Sequence, residues 1–307
     1  MDTIKTQRQQ LYGISADVAF LQLLDQPAFS GTVEQIFHKA LNISVGDTLF
    51  TLLSTELDNA PNSCRILNND FTRLNLQEGD QVYFSGKIIY LADHYFLSFS
   101  FCQKWLPKEI FFNPNKINQK QYLSFLNNKV NIIDELLKTE GNSLFNYCGD
   151  NLFYLATSEK LNLLRNELIN ALLKQQYQIL PDIIKQFIGL GIGLTPSADD
   201  YLVGLMAFLL LKHHPLQHLK CQFQQGINNA RTTTTKVSAI TLEKAINHQY
   251  RENILQLLQM LVAASKKDIY PQFRQILDIG SSSGSDMLFG IRDALYLTHY
   301  FGERYVD

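Results

Sequence analysis

The pattern of apolar and polar positions changes about a third of the way along the chain. In the first third, short apolar runs are separated by turn-forming pairs such as Gly46-Asp47 and Gly79-Asp80. This spacing predicts short strands joined by tight turns, and therefore a small β-barrel or sandwich. The predicted strands are Thr48–Ser54, Cys64–Leu67, Gln81–Leu91 and Tyr95–Phe101, and Leu11–Leu24 is predicted to form a helix before them.

The rest of the chain carries apolar residues at helical spacing, beginning near Asn118. The segment from Trp105 to Pro114 is the candidate boundary between the two patterns. We therefore expect an α+β protein, with a β-rich domain at residues 1–112 and a mainly α-helical domain at residues 113–307. The predicted helices are Gln119–Thr139, Glu159–Tyr177, Pro181–Ile188, Asp199–Lys212, Val237–His248, Arg251–Ser265, Ile269–Leu277 and Asp286–Tyr300.

A nine-residue phrase occurs twice in the helical region. The copies are Ser197-Ala-Asp-Asp-Tyr-Leu-Val-Gly-Leu205 and Ser283-Gly-Ser-Asp-Met-Leu-Phe-Gly-Ile291, which share Ser, Asp, Leu and Gly at the same offsets. In each copy the glycine lies four residues after the shared aspartate and hence on the same helix face. The repetition predicts two equivalent structural devices, each able to pack closely against a neighbour or a ligand.

Both copies are predicted to be glycine-rich loops that lead into buried helices. In the first copy, Thr195 is the expected hydroxyl N-cap and Pro196 the expected first helical residue. The second copy presents three consecutive serines, Ser281 to Ser283, within its glycine-rich loop. Because the first amide groups of a helix lack partners within the helix, such starts bind anions, and phosphate or carboxylate is the expected guest.

The aspartates in these first turns would repel an anion, so their role needs a separate explanation. Asp199 and Asp200 belong to the first copy and Asp286 to the second. They can stabilise the helix N-termini, hold a Mg²⁺ ion that bridges to phosphate, or accept a proton from an amide or amine substrate. The residue pattern leaves these three interpretations open, and the metal requirement remains unknown.

A threonine-rich stretch, Arg231-Thr-Thr-Thr-Thr-Lys-Val-Ser238, lies between the two copies. Its hydroxyls can cap the next helix or line a polar cavity, and its cations suit phosphate or a substrate carboxylate. Three histidines near residue 215 also form a weak candidate metal cluster. These histidines are His213, His214 and His218.

Composition narrows the range of functions. The chain has 307 residues, 46% of them hydrophobic, with a net charge of −2, which argues against nucleic acid as a partner. No apolar stretch is long enough to span a membrane, and Met1–Gln10 lacks the apolar centre of a signal peptide. Four cysteines without Cys-x-x-Cys spacing suit reduced thiols, so we expect a cytoplasmic protein.

Together, the two loops resemble the AllH-like family. The resemblance rests on Gly191-Ile-Gly-Leu-Thr-Pro-Ser-Ala-Asp-Asp200 with Leu202 and Gly204, and on Gly280-Ser-Ser-Ser-Gly-Ser-Asp286 with Leu288 and Gly290. It extends over the chain as a whole, including the β-rich start. One position departs from the family pattern, which has glycine where this chain has Ala198, and the difference bears on how closely a ligand can approach the first loop.

The resemblance implies a subunit of oxamate carbamoyltransferase, which works with partner subunits called AllF and AllG. The implied reaction is phosphorolysis of oxalurate to oxamate and carbamoyl phosphate in anaerobic allantoin degradation. No cofactor is certain, and Mg²⁺ is the candidate. The expected catalytic residues are Asp200, Asp286, Asp199, Ser197 and Ser283, with Asp200 and Asp286 essential. The expected substrate-binding residues are Gly191, Gly193, Thr195, Arg231, Thr234, Thr235, Lys236, Ser238, Gly280, Ser282 and Gly284.

Two other hypotheses account for the same residues. In the first, the chain is a non-catalytic subunit whose loops bind a small anion or pack against a partner within a multi-subunit complex. In the second, the repeat only stabilises a helical core, and its aspartates are buried and capped without sharing a pocket. Turnover by the isolated chain and by the chain with its partner subunits discriminates the first hypothesis from catalysis, whereas the second predicts that the two loops share no pocket.

Overall fold

A computed structural model describes residues 8–306, with side chains as far as Arg304. Two compact units divide the chain, the first ending at Lys108 and the second beginning at Glu109. The α+β class and the order of a β-barrel followed by a mainly helical region are confirmed. A domain boundary at residues 112 and 113 stays a prediction.

The first unit contains nine strands among the described residues, and the first eight of them form a closed barrel. The strands are β1 (Gln9–Asp17), β2 (Phe29–Ile36), β3 (Ala40–Val45), β4 (Thr48–Leu53), β5 (Ser63–Ile66), β6 (Gln81–Ser85), β7 (Ile88–Leu91), β8 (Tyr95–Ser98) and β9 (Gln103–Trp105). They follow the order β5-β4-β3-β2-β6-β7-β8-β1, and antiparallel pairing of β1 with β5 closes the barrel. Strand β9 pairs in parallel with the end of β1, beyond the part that pairs with β8. Alternate residues such as Leu41, Ile43 and Leu52 fill the interior.

The predicted helix at Leu11–Leu24 is wrong over its first part. Residues 9–17 form strand β1, and only Val18–Leu23 form a helix, α1. Leu11 and Gly13 are buried whereas Tyr12 between them is exposed, which is the two-residue period of a strand. Its pairing with β5 and β8 outweighs local helical preference.

The predicted strand Gln81–Leu91 is a hairpin of two strands. Gly86 and Lys87 both have positive φ, 58° and 65°, as the tight turns of hairpins require. Strands β2, β3 and β9 were not predicted. Asn42 is buried on β3, where it donates to Gln35 and accepts from Thr51, so a polar residue interrupts the apolar alternation.

The second unit contains nine helices among the described residues. They are α2 (Lys120–Thr139), α3 (Leu152–Leu173), α4 (Leu180–Phe187), α5 (Ser197–Leu209), α6 (Lys220–Asn229), α7 (Lys236–Ile246), α8 (Glu252–Ala263), α9 (Tyr270–Leu277) and α10 (Ser283–Val306). Each predicted helix overlaps one of them, whereas α6 was not predicted. Helix α3 begins seven residues before Glu159, because the Asn151 side chain caps it by accepting from the amides of Phe153 and Tyr154.

Helix α5 is the centre of this unit. All of its residues are buried, including those of its polar first turn. Beyond that turn the helix is apolar on every side, so other elements must enclose it. Helix α10 lies across it, and α2, α3 and α9 pack against α10. The two copies of the nine-residue phrase therefore begin the two helices that form the core of the unit.

The glycines of the two copies form the crossing of α5 and α10. A Cβ atom on Gly204 would lie 2.0 Å from the carbonyl oxygen of Met287, and one on Gly290 would lie 2.0 Å from that of Tyr201. Met287 and Tyr201 each directly follow a shared aspartate. The contact is therefore reciprocal, as if a two-fold axis passed through the crossing, and only glycine permits it at either position.

We expect Gly290→Ala to destabilise the protein by about 3 kcal/mol or more, because its new methyl group meets backbone that cannot move aside. Alanine is normally the better helix former, so a loss of stability would isolate the steric effect. Urea unfolding followed by circular dichroism measures it.

Gly193→Ala is the matched control, since its Cβ would meet no atom within 4 Å and only its φ of 84° is unfavourable. That control should lose only about 1 to 2 kcal/mol. Equal losses in the two variants would contradict the proposed crossing.

Candidate functional site

The crossing brings the two predicted loops together. The hydroxyl groups of Thr195 and Ser283 lie 2.9 Å apart and share a hydrogen bond. The starts of α5 and α10 therefore form one site, whereas the duplication alone left this open. Thr195 is not the N-cap that was predicted, because Pro196 occupies the cap position with an extended backbone and Ser197 is the first helical residue.

Asp200 and Asp286 lie in the first turns of these two helices and are almost fully buried. Asp200 is 2% exposed and Asp286 is 0% exposed. The Oδ2 atom of each carboxyl is buried and has no hydrogen-bond partner among the described residues. Burial raises the pKa of Asp200 to about 7 and that of Asp286 to about 8. A buried carboxylate is costly, so burial favours the protonated form of both groups.

Hydroxyl groups from both loops surround the two carboxyls, and each loop contributes a serine to the carboxyl of the other loop. The hydroxyls of Thr195 and Ser283 lower the pKa of Asp200 and offset part of the effect of burial. The hydroxyl of Ser197 does the same for Asp286, as that of Ser282 also does. Each shared serine therefore serves the aspartate of the other copy, which follows from the reciprocal crossing.

A segment that the sequence did not indicate completes this site. Ser143 donates a hydrogen bond to Asp286 Oδ1 and accepts one of 3.0 Å from the amide of Phe145. Asn142 donates through its backbone to Ser285 Oγ over 2.9 Å and through its side chain to the carbonyl of Ser281 over 3.0 Å. These contacts join residues about 140 positions apart, so no local pattern could reveal them.

Asp199 is a different kind of carboxylate from the other two. It accepts hydrogen bonds from the Gly189 amide at 2.8 Å, from the Ser238 hydroxyl at 2.6 Å and from the Thr234 hydroxyl. Burial raises the pKa of Asp199, and these three donors offset part of the increase. Its position between the first loop, the threonine-rich stretch and α7 indicates a bracing role.

The threonine-rich stretch is used mainly for this bracing. Thr235 donates to the carbonyl of Leu194 and caps α7 by accepting from the Ser238 amide at 3.1 Å. Lys236 is the first residue of α7. Arg231 is exposed and lies 3.6 Å from Glu243, so it does not join the cluster around Asp200 and Asp286. Thr235 therefore caps the next helix, whereas Thr234 and Ser238 hold Asp199.

Glycines shape both loops because side chains would not fit there. A Cβ on Gly191, whose φ is 129°, would lie 2.3 Å from the Ser197 amide nitrogen, and one on Gly284 would lie 1.9 Å from the Ile276 carbonyl oxygen. Gly193 and Gly280 have φ of 84° and 61°. The conformations required by the loops therefore explain these four glycines whether or not a ligand binds.

Free amide groups remain in both loops. Within residues 8–306, the amides of residues 191–195 and 280–283 donate no hydrogen bond. By contrast, Ala198 and Gly284, at equivalent positions of the two copies, donate to the carbonyls of Leu190 and Ile279 at 3.0 and 2.9 Å. Ala198 is buried, so its methyl group lies away from the solvent-exposed loop. The loops, rather than the second helical amides, are the candidate anion donors.

A buried ion-pair network anchors α10 behind the site. Asp293 accepts two bonds from Arg165, of 2.6 and 2.8 Å, and one of 2.7 Å from the Tyr201 hydroxyl. Arg292 donates to Asp293 and forms a two-point contact with Asp134 on α2. These cations are occupied by their own carboxylates, so they do not compensate Asp200 or Asp286.

The described part of the chain holds no cluster of three His, Cys, Asp or Glu side chains suited to a metal ion. His214 is buried with its Nε2 3.0 Å from the Thr298 hydroxyl, whereas His213 and His218 are exposed, so these three histidines do not converge on one metal site. Asp200 and Asp286 offer two carboxylates, to which a Mg²⁺ ion would have to add oxygen ligands from a substrate or water.

Comparison with known proteins agrees with this architecture. A model of the AllH family N-terminal domain matches residues 12–104, and one described as oxamate carbamoyltransferase subunit AllH matches residues 187–295. No solved structure matches the chain. The two matched regions correspond to the barrel and to the helices that carry both loops. The chain belongs to the AllH family. The description of the second model supports a role as an enzyme subunit.

Among residues 8–306, no helix combines the length and apolar character that crossing a membrane requires. This finding concerns the helices alone.

We expect Asp199→Ala to lower the free energy of unfolding by about 3 kcal/mol, because three buried donors would lose their acceptor at about 1 kcal/mol each. Asp199→Asn should cost less, since its amide oxygen still accepts and the two hydroxyls can turn to accept from its NH₂ group.

Asp182→Ala, in the exposed first turn of α4, is the control and should change stability by less than about 1 kcal/mol. If Asp199→Ala unfolds at the same urea concentration as the wild type, the bracing role is wrong.

Proposed function

We propose that the chain is a catalytic subunit of an oxamate carbamoyltransferase, located in the cytoplasm. The reaction is phosphorolysis of oxalurate to oxamate and carbamoyl phosphate during anaerobic allantoin degradation, carried out with AllF-like and AllG-like subunits. The observation that carries this proposal is the pair of buried carboxyls, Asp200 and Asp286, beneath two glycine-rich loops with free amides. The description of the matching family model supports the substrate and the reaction type.

The proposed chemistry needs an anion site, an acid and a base. A phosphate oxygen attacks the ureido carbonyl carbon of oxalurate, and the bond from that carbon to the oxamate nitrogen breaks. One carboxyl takes the proton of the attacking phosphate, while the other gives its proton to the departing nitrogen. The hydroxyls of Ser197 and Ser283 stabilise the negative charge that develops on the carbonyl oxygen. No covalent intermediate on the protein is required.

The loop amides bind the anionic parts of the reactants in this proposal. Residues 191–195 and 280–283 provide donors for phosphate and for the carboxylate of oxamate. The remaining residues of the predicted binding set act indirectly, since Thr234 and Ser238 hold Asp199 and Thr235 holds the first loop. Arg231 and Lys236 flank the four threonines in the sequence. Substituting each of them tests whether it binds substrate.

A second candidate function has one specific observation in its favour. The unpartnered oxygens of both carboxyls are sealed from solvent, so a substrate reaches them only if a loop moves. A non-catalytic subunit that binds a small anion or packs against its partners would need no such access. The two candidates differ in whether turnover by the assembled enzyme depends on these carboxyls.

We expect Asp200→Asn and Asp286→Asn each to lower oxalurate phosphorolysis by at least about 100-fold when combined with the partner subunits, because each removes an acid or a base. The assay follows carbamoyl phosphate, with and without Mg²⁺. Asp182→Asn makes the same chemical change at an exposed position and should retain full activity. Unchanged turnover in both variants would favour the assembly role.

Ligand binding to the chain alone gives an independent measurement. A ligand that binds only the folded state must raise the melting temperature. We expect phosphate, carbamoyl phosphate, oxamate or oxalurate to do so, and the shift to disappear in Gly191→Ala, in which the first loop cannot keep its conformation. The absence of any shift with all four ligands would place anion binding in the assembled complex or in another subunit.

A further inference from the structure

We propose that Asp200 and Asp286 share a single proton, so that one is a carboxylic acid while the other is a carboxylate. This pairing makes the two copies of the repeat an acid and a base within one site. The assignment of that pair to a substrate rests on the proposed function, whereas the shared proton is a property of the chain alone.

The reciprocal crossing is the first observation that carries this inference. Because Gly204 contacts Met287 and Gly290 contacts Tyr201, the residues before Met287 and Tyr201 are placed equivalently about one axis. Those residues are Asp286 and Asp200. Each copy also contributes a serine beside the aspartate of the other copy. The charge of Asp200 raises the pKa of Asp286, so the two carboxyls compete for a proton and repel each other when both are ionised.

The second observation is the oxygen that each carboxyl leaves without a partner. The Oδ2 atoms of Asp200 and Asp286 are both buried and unbonded, although their residues are 2% exposed or less. An unbonded carboxylate oxygen at such a position is unfavourable, whereas a protonated oxygen can donate to a neighbouring acceptor. Asp286 Oδ1 already accepts from Ser143, so its proton belongs on Oδ2.

The surrounding charges do not remove the need for a proton. On α5, the charge of Asp199 raises the pKa of Asp200 further. The cations Arg165 on α3 and Arg292 on α10 bind Asp293 and Asp134, and on α9 Arg274 pairs with Glu140. The 142–143 segment carries only Asn and Ser. No cation in the described residues pairs with either carboxyl.

A carboxylic acid beside a carboxylate has a defined ligand preference. The acid donates to a carbonyl oxygen, and the carboxylate accepts from an N–H group. An uncharged amide or ureido group has both a carbonyl oxygen and an N–H group. Phosphate and carboxylate ligands have only acceptor oxygens and are repelled by the ionised aspartate. We therefore place the amide edge of a substrate against Asp200 and Asp286, and its anionic groups against the loop amides.

The test is a titration of the full-length chain, labelled with ¹³C at the aspartate carboxyl carbons and followed by NMR without substrate. Asp200→Asn and Asp286→Asn identify the two resonances by their loss. We expect the pair to lose its two protons in separate steps, both above the ordinary aspartate value of about 4 and the second above pH 6. In each variant the remaining carboxyl should titrate at lower pH than the higher step of the wild type, because the neighbouring charge is gone.

Two results would overturn the shared proton. One is complete ionisation of both groups by about pH 5, as for exposed aspartates. The other is a titration of Asp286 that is the same in the wild type and in Asp200→Asn, which would show independent groups. Asp182→Asn must leave both resonances unchanged.

The melting temperature of the wild type provides a measurement that needs no variant at the site. The folded state keeps a proton that the unfolded chain loses above about pH 4, so stability should fall as pH rises from about 4 towards 8. Asp286→Asn should flatten this fall, whereas a merely structural role would lower the melting temperature equally at every pH. A wild type whose stability does not fall over this range would contradict the proposal. None of these outcomes depends on carbamoyl transfer, so the shared proton and the proposed function can fail separately.

Discussion

The contact between the backbones of α5 and α10 determines the rest of the helical unit. Two glycines allow the helices to touch, and each touches the carbonyl that follows the shared aspartate of the other copy. That geometry places both first turns side by side, so that the serine of each copy lies beside the aspartate of the other. It also leaves both carboxyls buried. A methyl group at either glycine would separate the helices and the site with them. Packing and chemistry therefore depend on the same pair of residues.

The two copies differ at their third position, which is Asp199 in the first copy and Ser285 in the second. Asp199 holds the threonine-rich stretch and the start of the first loop, whereas its counterpart Ser285 accepts from the Asn142 amide. Both residues tie their helix to a flanking segment, although a carboxylate does so in one case and a hydroxyl in the other. In Asp200 and Asp286, by contrast, the Oδ2 atom holds no flanking segment. The difference supports separating Asp200 and Asp286 from Asp199, since only the former retain unused hydrogen-bonding capacity at full burial.

Sequence patterns predicted the architecture because its causes are local. Turn pairs and alternation predicted a barrel or sandwich, and glycine runs followed by apolar residues predicted the starts of both core helices. The helix predicted at Leu11 failed because strand β1 is stabilised by pairing on both edges, which a single segment does not reveal. The placement of the candidate site at the starts of these helices follows from the same local signals, and its role stays a prediction. Asp200 and Asp286 were found through the repeat, whereas Ser143 lies about 140 residues from its partner and belongs to no repeat.

The functions of the hydroxyl groups could not be separated by sequence alone. Thr195 and Thr234 have the same chemistry, yet the first bonds to Ser283 at the junction of the loops and the second holds Asp199. A hydroxyl bound to a carboxylate that already has three donors is committed to structure. One beside a carboxyl with an unpartnered oxygen remains available to a ligand. Counting the acceptors and donors of each buried group therefore distinguishes the two roles.

Burial and access impose opposite demands on this site. Enclosure raises the affinity of the carboxyls for protons and provides an acid near neutral pH, but it also excludes the substrate. The first loop is suited to resolving this conflict, because Ile192 and Leu194 expose apolar side chains while Gly191 and Gly193 hold positive φ. Covering those side chains with a partner's surface would stabilise a displaced loop without disturbing the helix crossing beneath it. Under the proposed function, such coupling would explain why a chain that holds both buried carboxyls works together with other subunits.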